Sequence, residues 1–207
     1  MDLTDNYYKY VEIANEDKLE MSITNILSNP SLYREAQHLQ KQVDVLQSDT
    51  AILSIAVNEW LVLLESEVLD PYKANIRKRM EEATEPFFFV ANMMDPQYLG
   101  RNLNLTSQQE ELAEEWISEF HPEYLAGFMA FRIKDPDLFP KIMFSEQILN
   151  LYKQQPAKWW SVMENRTLKT NNLPSGFCNI FANLLTCHQV LPQLKDYFLH
   201  LVLFGLN

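Results

Sequence analysis

A nearly continuous apolar segment, residues 86–94 (PFFFVANMM), most constrains how this chain can fold. Pro86 suits the first turn of a helix, where no amide hydrogen is needed, and Asn92 is the only polar side chain in the segment. A helix that is apolar on every side belongs in a core. Asp95-Pro96 should end it, because a residue before proline disfavours helical backbone. The pattern therefore predicts a short central helix followed by a turn.

Apolar residues recur at helical spacing along most of the remaining sequence. They predict helices at about 16–28, 30–46, 50–64, 71–84, 107–118, 124–133, 145–152, 156–163 and 174–185. Asp49 or Thr50 would cap the third of these, residues 106–109 (TSQQ) resemble a capping box, and residues 164–173 form a polar loop. No two segments are typical of paired strands. We expect a mainly α, multi-helix domain at 16–187, a flexible N-terminus at 1–15, and an apolar C-terminal helix at 188–207.

The charge of the chain limits the partners that it can bind. With a net charge of −11 over 207 residues, non-specific binding to duplex DNA is disfavoured, since such binding requires Lys and Arg to displace counterions. One basic cluster stands out, formed by Lys73, Arg77, Lys78 and Arg79. These side chains could contact phosphates, but a solvated helix face is the favoured interpretation.

The two cysteines, Cys178 and Cys187, are nine residues apart, which is outside the close pairing of structural zinc sites. We interpret both as buried free thiols, which indicates either a reducing compartment or no disulfide role. The acidic N-terminus lacks the apolar core of a signal peptide. No apolar run approaches the roughly 18 residues of a membrane span. The expectation is an intracellular protein without a membrane segment.

Three motifs, in this order, resemble the C-terminal half of the hAT-family transposases. Residues 89–100 (FVANMMDPQYLG) resemble the family's apolar-Ala-Asn-apolar-apolar-Asp-Pro-basic-Tyr-x-Gly stretch, with Gln97 in place of the basic residue. Residues 156–160 (PAKWW) resemble its Pro-x-x-Trp-Trp, and residues 173–185 resemble the helix that follows. The positions that match these motifs are interpreted as structural: Asn92, Asp95, Pro96, Tyr98, Gly100, Trp159 and Trp160. The tryptophans could stack on bases, but core packing is favoured.

The resemblance implies the helical insertion of a hAT transposase with an incomplete RNase H-like remnant, in a nuclear protein. The family transfers DNA strands with divalent metals held by three carboxylates. Its last carboxylate belongs to a Glu-Arg-x-Phe-Ser segment, whereas this chain has no Glu after Glu164. The other two would lie upstream of the region that matches, as would the family's zinc finger. We therefore expect a truncated or domesticated copy with no catalytic residue, no metal and no cofactor.

Alternatives to that interpretation remain open. The chain could be a fragment of an active transposase whose catalytic carboxylates lie outside it. It could also be a DNA-binding regulator that uses the basic cluster. The favoured hypothesis is a protein-interaction or dimerisation module that binds itself or a related transposase-like protein.

The C-terminal segment provides the physical reason for that hypothesis. After Cys187 only Lys195 and Asp196 are charged. An amphipathic helix from about residue 191 would present a large apolar surface, which must pack on the body of the protein or on another chain. The interface residues that we predict are Leu191, Leu194, Tyr197, Phe198, Leu201 and Val202.

Overall fold

The computed structural model describes Val45 and residues 52–99, 105–167 and 173–187. Residues 49–189 form one of two compact units of the chain, and all described residues except Val45 belong to it. The predictions for residues 1–15, for most of the first two helices, for Gly100 and for the segment 188–207 lie outside the described residues. The predicted domain boundaries stay predictions.

The helices follow one another along the unit with short connections. We number the α-helices with described bounds α1 (Leu53–Glu65), α2 (Lys73–Ala83), α3 (Pro86–Met94), α4 (Ser107–Phe120), α5 (Leu125–Arg132), α6 (Glu146–Leu151), α7 (Pro156–Thr167) and α8 (Phe177–Leu184). Short 3-10 helices occupy Glu67–Tyr72, Pro122–Tyr124 and Lys141–Phe144. The part of the chain that is described contains no β-strand. The prediction of a mainly α fold is confirmed, while the likeness to a hAT insertion with an RNase H-like remnant stays a prediction.

Helix α3 lies at the centre of the unit, as its composition predicts. It packs against α1, α4, α5 and α8, and every residue from Phe88 to Met94 is buried. The helix ends where Asp95 adopts extended backbone, at φ −75° and ψ 119°, because Pro96 follows it. The next turn passes through Leu99 at φ 52°. This turn brings the chain back toward the core, where the Leu99 side chain is buried.

A cluster of aromatic rings forms the core between α5, α7 and α8. Trp160 lies at its middle, with ring centres 4.8 Å from Phe131, 5.0 Å from Trp159 and 5.6 Å from Phe181. Trp159 and Trp160 are both fully buried. The prediction that the tryptophan pair packs in the core is therefore confirmed.

Local sequence signals set several helix boundaries correctly. The Thr106 hydroxyl accepts a hydrogen bond from the Gln109 amide, and the Gln109 side chain accepts one from the Thr106 amide, so the predicted capping box is present. The sequence places the end of α4 near residue 118 with a break at His121-Pro122, and the helix ends at Phe120, just before that pair. The charged helix α2 buries only Ile76 and Met80, as expected for a helix with one narrow apolar stripe.

Three predicted boundaries are wrong. Helix α7 continues to Thr167 rather than ending before residue 164, and the polar side chain of Asn165 bonds back to the Ser161 carbonyl. Helix α8 begins at Phe177, because Gly176 at φ 83° forms a left-handed turn before it. Helix α1 begins after Ile52 rather than after a polar cap.

Two predicted burial states are also wrong. Cys187 is exposed, because it lies just beyond the end of α8, and only Cys178 is a buried thiol. The apolar spacing of α4 predicts that Leu112, Ala113, Trp116 and Ile117 face inward, but Leu112 is 37% exposed, because it lies at the edge of the buried stripe rather than in it. Among the described residues, no helix is long and apolar enough to cross a membrane.

Candidate functional site

The motif at the end of α3 places a carboxylate in the protein core. Asp95 is only 2% exposed. Its Oδ2 atom accepts a 2.8 Å hydrogen bond from the Ser54 hydroxyl on α1, and its Oδ1 atom accepts a 3.0 Å bond from the Gln97 amide. One turn earlier, the Asn92 amide nitrogen donates to the Ser54 carbonyl at 3.0 Å. Asn92 on α3 and Asp95 just after it thus both bind Ser54 of α1, and together they join the two helices.

Burial changes the acidity of two groups in this cluster. It raises the pKa of Asp95 from 3.8 to about 6, although the hydrogen bonds from Gln97 and Ser54 act in the opposite direction. Burial also raises the pKa of Tyr98, and the nearby carboxylates of Asp95 and Glu59 raise it further. Desolvation disfavours the charged form of each group. A carboxyl group that titrates near neutrality can act as a proton donor or acceptor, but this one faces the core.

Trp160 of the second motif joins α7 to the end of α3. The indole nitrogen of Trp160 donates a 2.9 Å hydrogen bond to the Met94 carbonyl at the last residue of α3. The indole nitrogen of Trp159 donates, also at 2.9 Å, to the Met143 carbonyl. These bonds satisfy buried polar groups that would otherwise be costly. Trp159 and Trp160 are both fully buried against other aromatic rings. Stacking of a nucleic-acid base on either side chain would therefore require the core to open.

Gln97, which stands where the hAT motif has a basic residue, also makes a structural contact. The side-chain amide of Gln97 donates a 3.1 Å hydrogen bond to the Leu149 carbonyl in α6. Pro96 is buried beside it. Asn92, Asp95, Pro96, Trp159 and Trp160 are therefore all buried, and Gln97 joins the turn after α3 to α6.

The predicted basic cluster lies on α2, and acidic side chains on either side of it in the sequence pair with three of its members. Lys73 pairs with Asp70 at 2.6 Å, and Arg79 pairs with Glu82 at 2.6 Å. Lys78 is 3.9 Å from the same Glu82 carboxylate. Arg77 and Lys78 are exposed. The predicted solvated helix face fits these ion pairs, and contact with nucleic acid stays a prediction.

Sequence reasoning missed the partner of the buried carboxylate. Ser54 is fully buried within a helix whose other buried residues are all apolar. A single Ser at a core-facing position of an apolar helix is the only signal in the sequence, and it does not indicate Asp95. Within the described ranges, no group of three or more His, Cys, Asp or Glu side chains could hold a metal ion.

Comparisons with protein families, with curated proteins and with solved structures find no match to this chain.

Proposed function

We propose that this chain is a non-catalytic protein derived from a hAT transposase, and that it acts in the nucleus as a protein-interaction or dimerisation module. One observation supports this proposal most directly. The polar residues of the motif, Asn92, Asp95 and Trp160, make their hydrogen bonds within the core. In this arrangement the motif maintains a helical scaffold, and any partner must bind elsewhere.

The predicted C-terminal interface is the main surface for self-association. The apolar residues of this interface, from Leu191 to Val202, are predicted from the sequence and lie outside the described residues. An apolar surface of this size favours association in water, because burying it removes apolar area from solvent. We therefore expect the chain to form dimers in solution.

Light scattering at increasing protein concentration tests this proposal. The parent chain should form a dimer, and the double substitution Leu194→Asp and Phe198→Asp should yield a folded monomer. Leu151→Asp is a matched control, since Leu151 is 69% exposed on α6 and lies outside the predicted interface. A parent chain that stays monomeric at high concentration would contradict dimerisation. General unfolding of the double variant would instead indicate that the segment packs within its own chain.

A DNA-binding regulator is the second candidate, favoured by the exposed side chains of Arg77 and Lys78 on α2. Binding through these residues should weaken steeply with salt, because phosphate contacts release counterions. The double substitution Arg77→Gln and Lys78→Gln should reduce the salt dependence, as measured by fluorescence anisotropy with a labelled duplex. No binding at low salt would exclude this candidate.

A further inference from the structure

The outer edge of α4 presents a stripe of partly exposed apolar side chains. Leu112, Trp116 and Phe120 recur every four residues and so share one side of the helix. Leu112 is 37% exposed and Phe120 is 57% exposed, while Trp116 is half-buried between them. The Trp116 ring centre lies 5.6 Å from Phe120, 5.4 Å from His121 and 6.3 Å from Phe87 of α3. We call Leu112, Trp116 and Phe120 the aromatic surface.

Carboxylates border the aromatic surface on its solvent side. Glu115 and Glu119 are both exposed and lie one turn apart on α4. Glu119 follows Trp116 by three residues, so the two side chains are neighbours on the helix surface. Helix α4 contains no Lys or Arg.

On the side of α4 that faces α5, the acidic side chains pair with an arginine. There Arg132 of α5 lies 2.6 Å from Glu110 and 3.4 Å from Glu114. This arginine offsets one of the two negative charges that face the protein body. The carboxylates of Glu115 and Glu119 have no Lys or Arg on α4 to offset them, so more of the net negative charge lies beside the aromatic surface.

We propose that the aromatic surface, together with Glu115 and Glu119, is a docking site for a basic segment of another protein in which arginine alternates with aliphatic residues. Guanidinium groups stack on aromatic faces and form strong hydrogen bonds with carboxylates. Aliphatic side chains of the same segment would cover the remaining apolar area. This inference rests on the proposed function, because it takes the chain to be an interaction module, and it assigns a second surface with a different partner.

Charge complementarity indicates which kind of molecule can bind at this site. A second copy of the chain would bring the same carboxylates and a net charge of −11, so repulsion disfavours pairing of two aromatic surfaces. Nucleic acids and anionic membranes are repelled for the same reason. A basic peptide segment satisfies both the aromatic rings and the carboxylates.

A labelled peptide tests the docking site on the full chain. The probe is a fluorescein-labelled peptide of alternating arginine and leucine, and the control peptide has glutamine in place of every arginine. Fluorescence anisotropy should show binding of the arginine peptide that weakens as salt is added. The glutamine peptide should bind much more weakly. Absence of binding by the arginine peptide at low salt would overturn the proposal.

Paired substitutions then locate the site. Phe120→Ala with Glu119→Gln should weaken peptide binding on the order of tenfold, since each contact contributes roughly two- to fivefold at an exposed site. The matched control is Leu151→Ala with Glu146→Gln, which removes an exposed apolar group and a carboxylate from α6 instead. The control pair should bind like the parent. Equal weakening by both pairs would indicate diffuse attraction to an acidic protein and would overturn the proposal.

Tryptophan fluorescence provides an independent readout. Trp60, Trp159 and Trp160 are buried, whereas Trp116 is half-buried on the proposed site. Bound peptide should therefore reduce quenching by acrylamide, and Trp116→Phe should abolish that change.

The two proposals fail in different ways. A chain that dimerises but does not bind the arginine peptide contradicts only this inference. A monomer that binds the peptide at the aromatic surface contradicts only the predicted self-association. The double variant Leu194→Asp and Phe198→Asp should retain peptide binding, because it leaves α4 unchanged.

Discussion

Ser54 and Asp95 are 41 residues apart in the sequence, yet the Ser54 hydroxyl donates a 2.8 Å hydrogen bond to the buried Asp95 carboxylate. The bond joins the first turn of α1 to the end of α3. The carboxylate also accepts the Gln97 amide, which fixes the turn that follows the helix. A charged group in a core is costly, and these two bonds offset only part of that cost, because the pKa of Asp95 stays raised to about 6.

The stability of the protein should decrease as Asp95 loses its proton. The pKa of this carboxyl group is about 6 in the folded protein and 3.8 ordinarily, so the folded state binds the proton more tightly than the unfolded state. The resulting stabilisation is complete below the unfolded pKa and is lost as the pH rises through about 6. Its size is roughly 3 kcal/mol.

Asp95→Asn should remove this pH dependence, because an amide keeps one acceptor and one donor in place of the protonated acid. Urea unfolding between about pH 4 and about pH 7 measures the slope. An unchanged slope in Asp95→Asn would show that other groups cause it.

Ser54→Ala should destabilise the protein more when Asp95 is charged than when it is protonated. The Ser54 hydrogen bond lowers the pKa of Asp95, so its loss raises that pKa further. Hydrogen bonds to charged groups contribute about 1.5–3 kcal/mol, and a cost of that order is expected near neutral pH. In an Asp95→Asn background the cost should be smaller, as a double-mutant cycle would reveal. Equal costs in both backgrounds would mean that the two residues are not coupled.

The parts of the fold that could be predicted from sequence depend on local signals. Pro86, the Asp95-Pro96 pair and the Thr106 capping box act on their own backbone neighbours, and the structure confirms all of them. The end of α7 could not be predicted in this way. Met163 is fully buried in the unit, and this packing extends the helix into a segment whose composition is typical of a loop.

The candidate site shows the same division between local and distant effects. The residues of segment 86–94 predict a buried helix, and the structure confirms it. The hydrogen-bond partners of this helix and of the turn after it could not be predicted, because the Ser54 and Leu149 groups that bind them are brought near only by the tertiary fold. No spacing in the sequence encodes either contact.

Gly127→Ala should destabilise the contact between α5 and α8. A methyl group at Gly127 would lie 2.5 Å from the Phe177 ring and 3.1 Å from the Leu173 side chain. Phe177 is buried among other rings and has little room to move, so overpacking should cost about 1–3 kcal/mol in thermal or chemical unfolding. Adding Phe177→Leu to Gly127→Ala makes space for the methyl group. The two costs should therefore be less than additive, and strict additivity would contradict the proposed clash.

Arg132→Lys should weaken the link between α4 and α5, although it keeps the positive charge. The guanidinium of Arg132 contacts Glu110 and Glu114 through different nitrogens, and a single ammonium group cannot reproduce this fork. We expect a loss of about 1 kcal/mol, since the arginine side chain is only 14% exposed while the carboxylates are partly solvated. The substitution Lys153→Arg at an exposed position is the control and should be neutral. If Arg132→Lys is as stable as the parent and Arg132→Met is less stable, the positive charge alone accounts for the stabilisation by Arg132.

Trp160→Phe should be among the costliest single substitutions in the unit. It removes the donor to the Met94 carbonyl and leaves a cavity between Phe131, Phe177 and Phe181, whose rings all contact the indole. The lost hydrogen bond leaves a buried acceptor unsatisfied, which costs about 1–3 kcal/mol, and the cavity adds to that cost. Trp116→Phe makes the same chemical change at a half-buried position and should cost less than about 1 kcal/mol. Urea unfolding of both variants measures the difference, and similar costs would mean that the bond from α7 to the end of α3 adds little to the stability of the core.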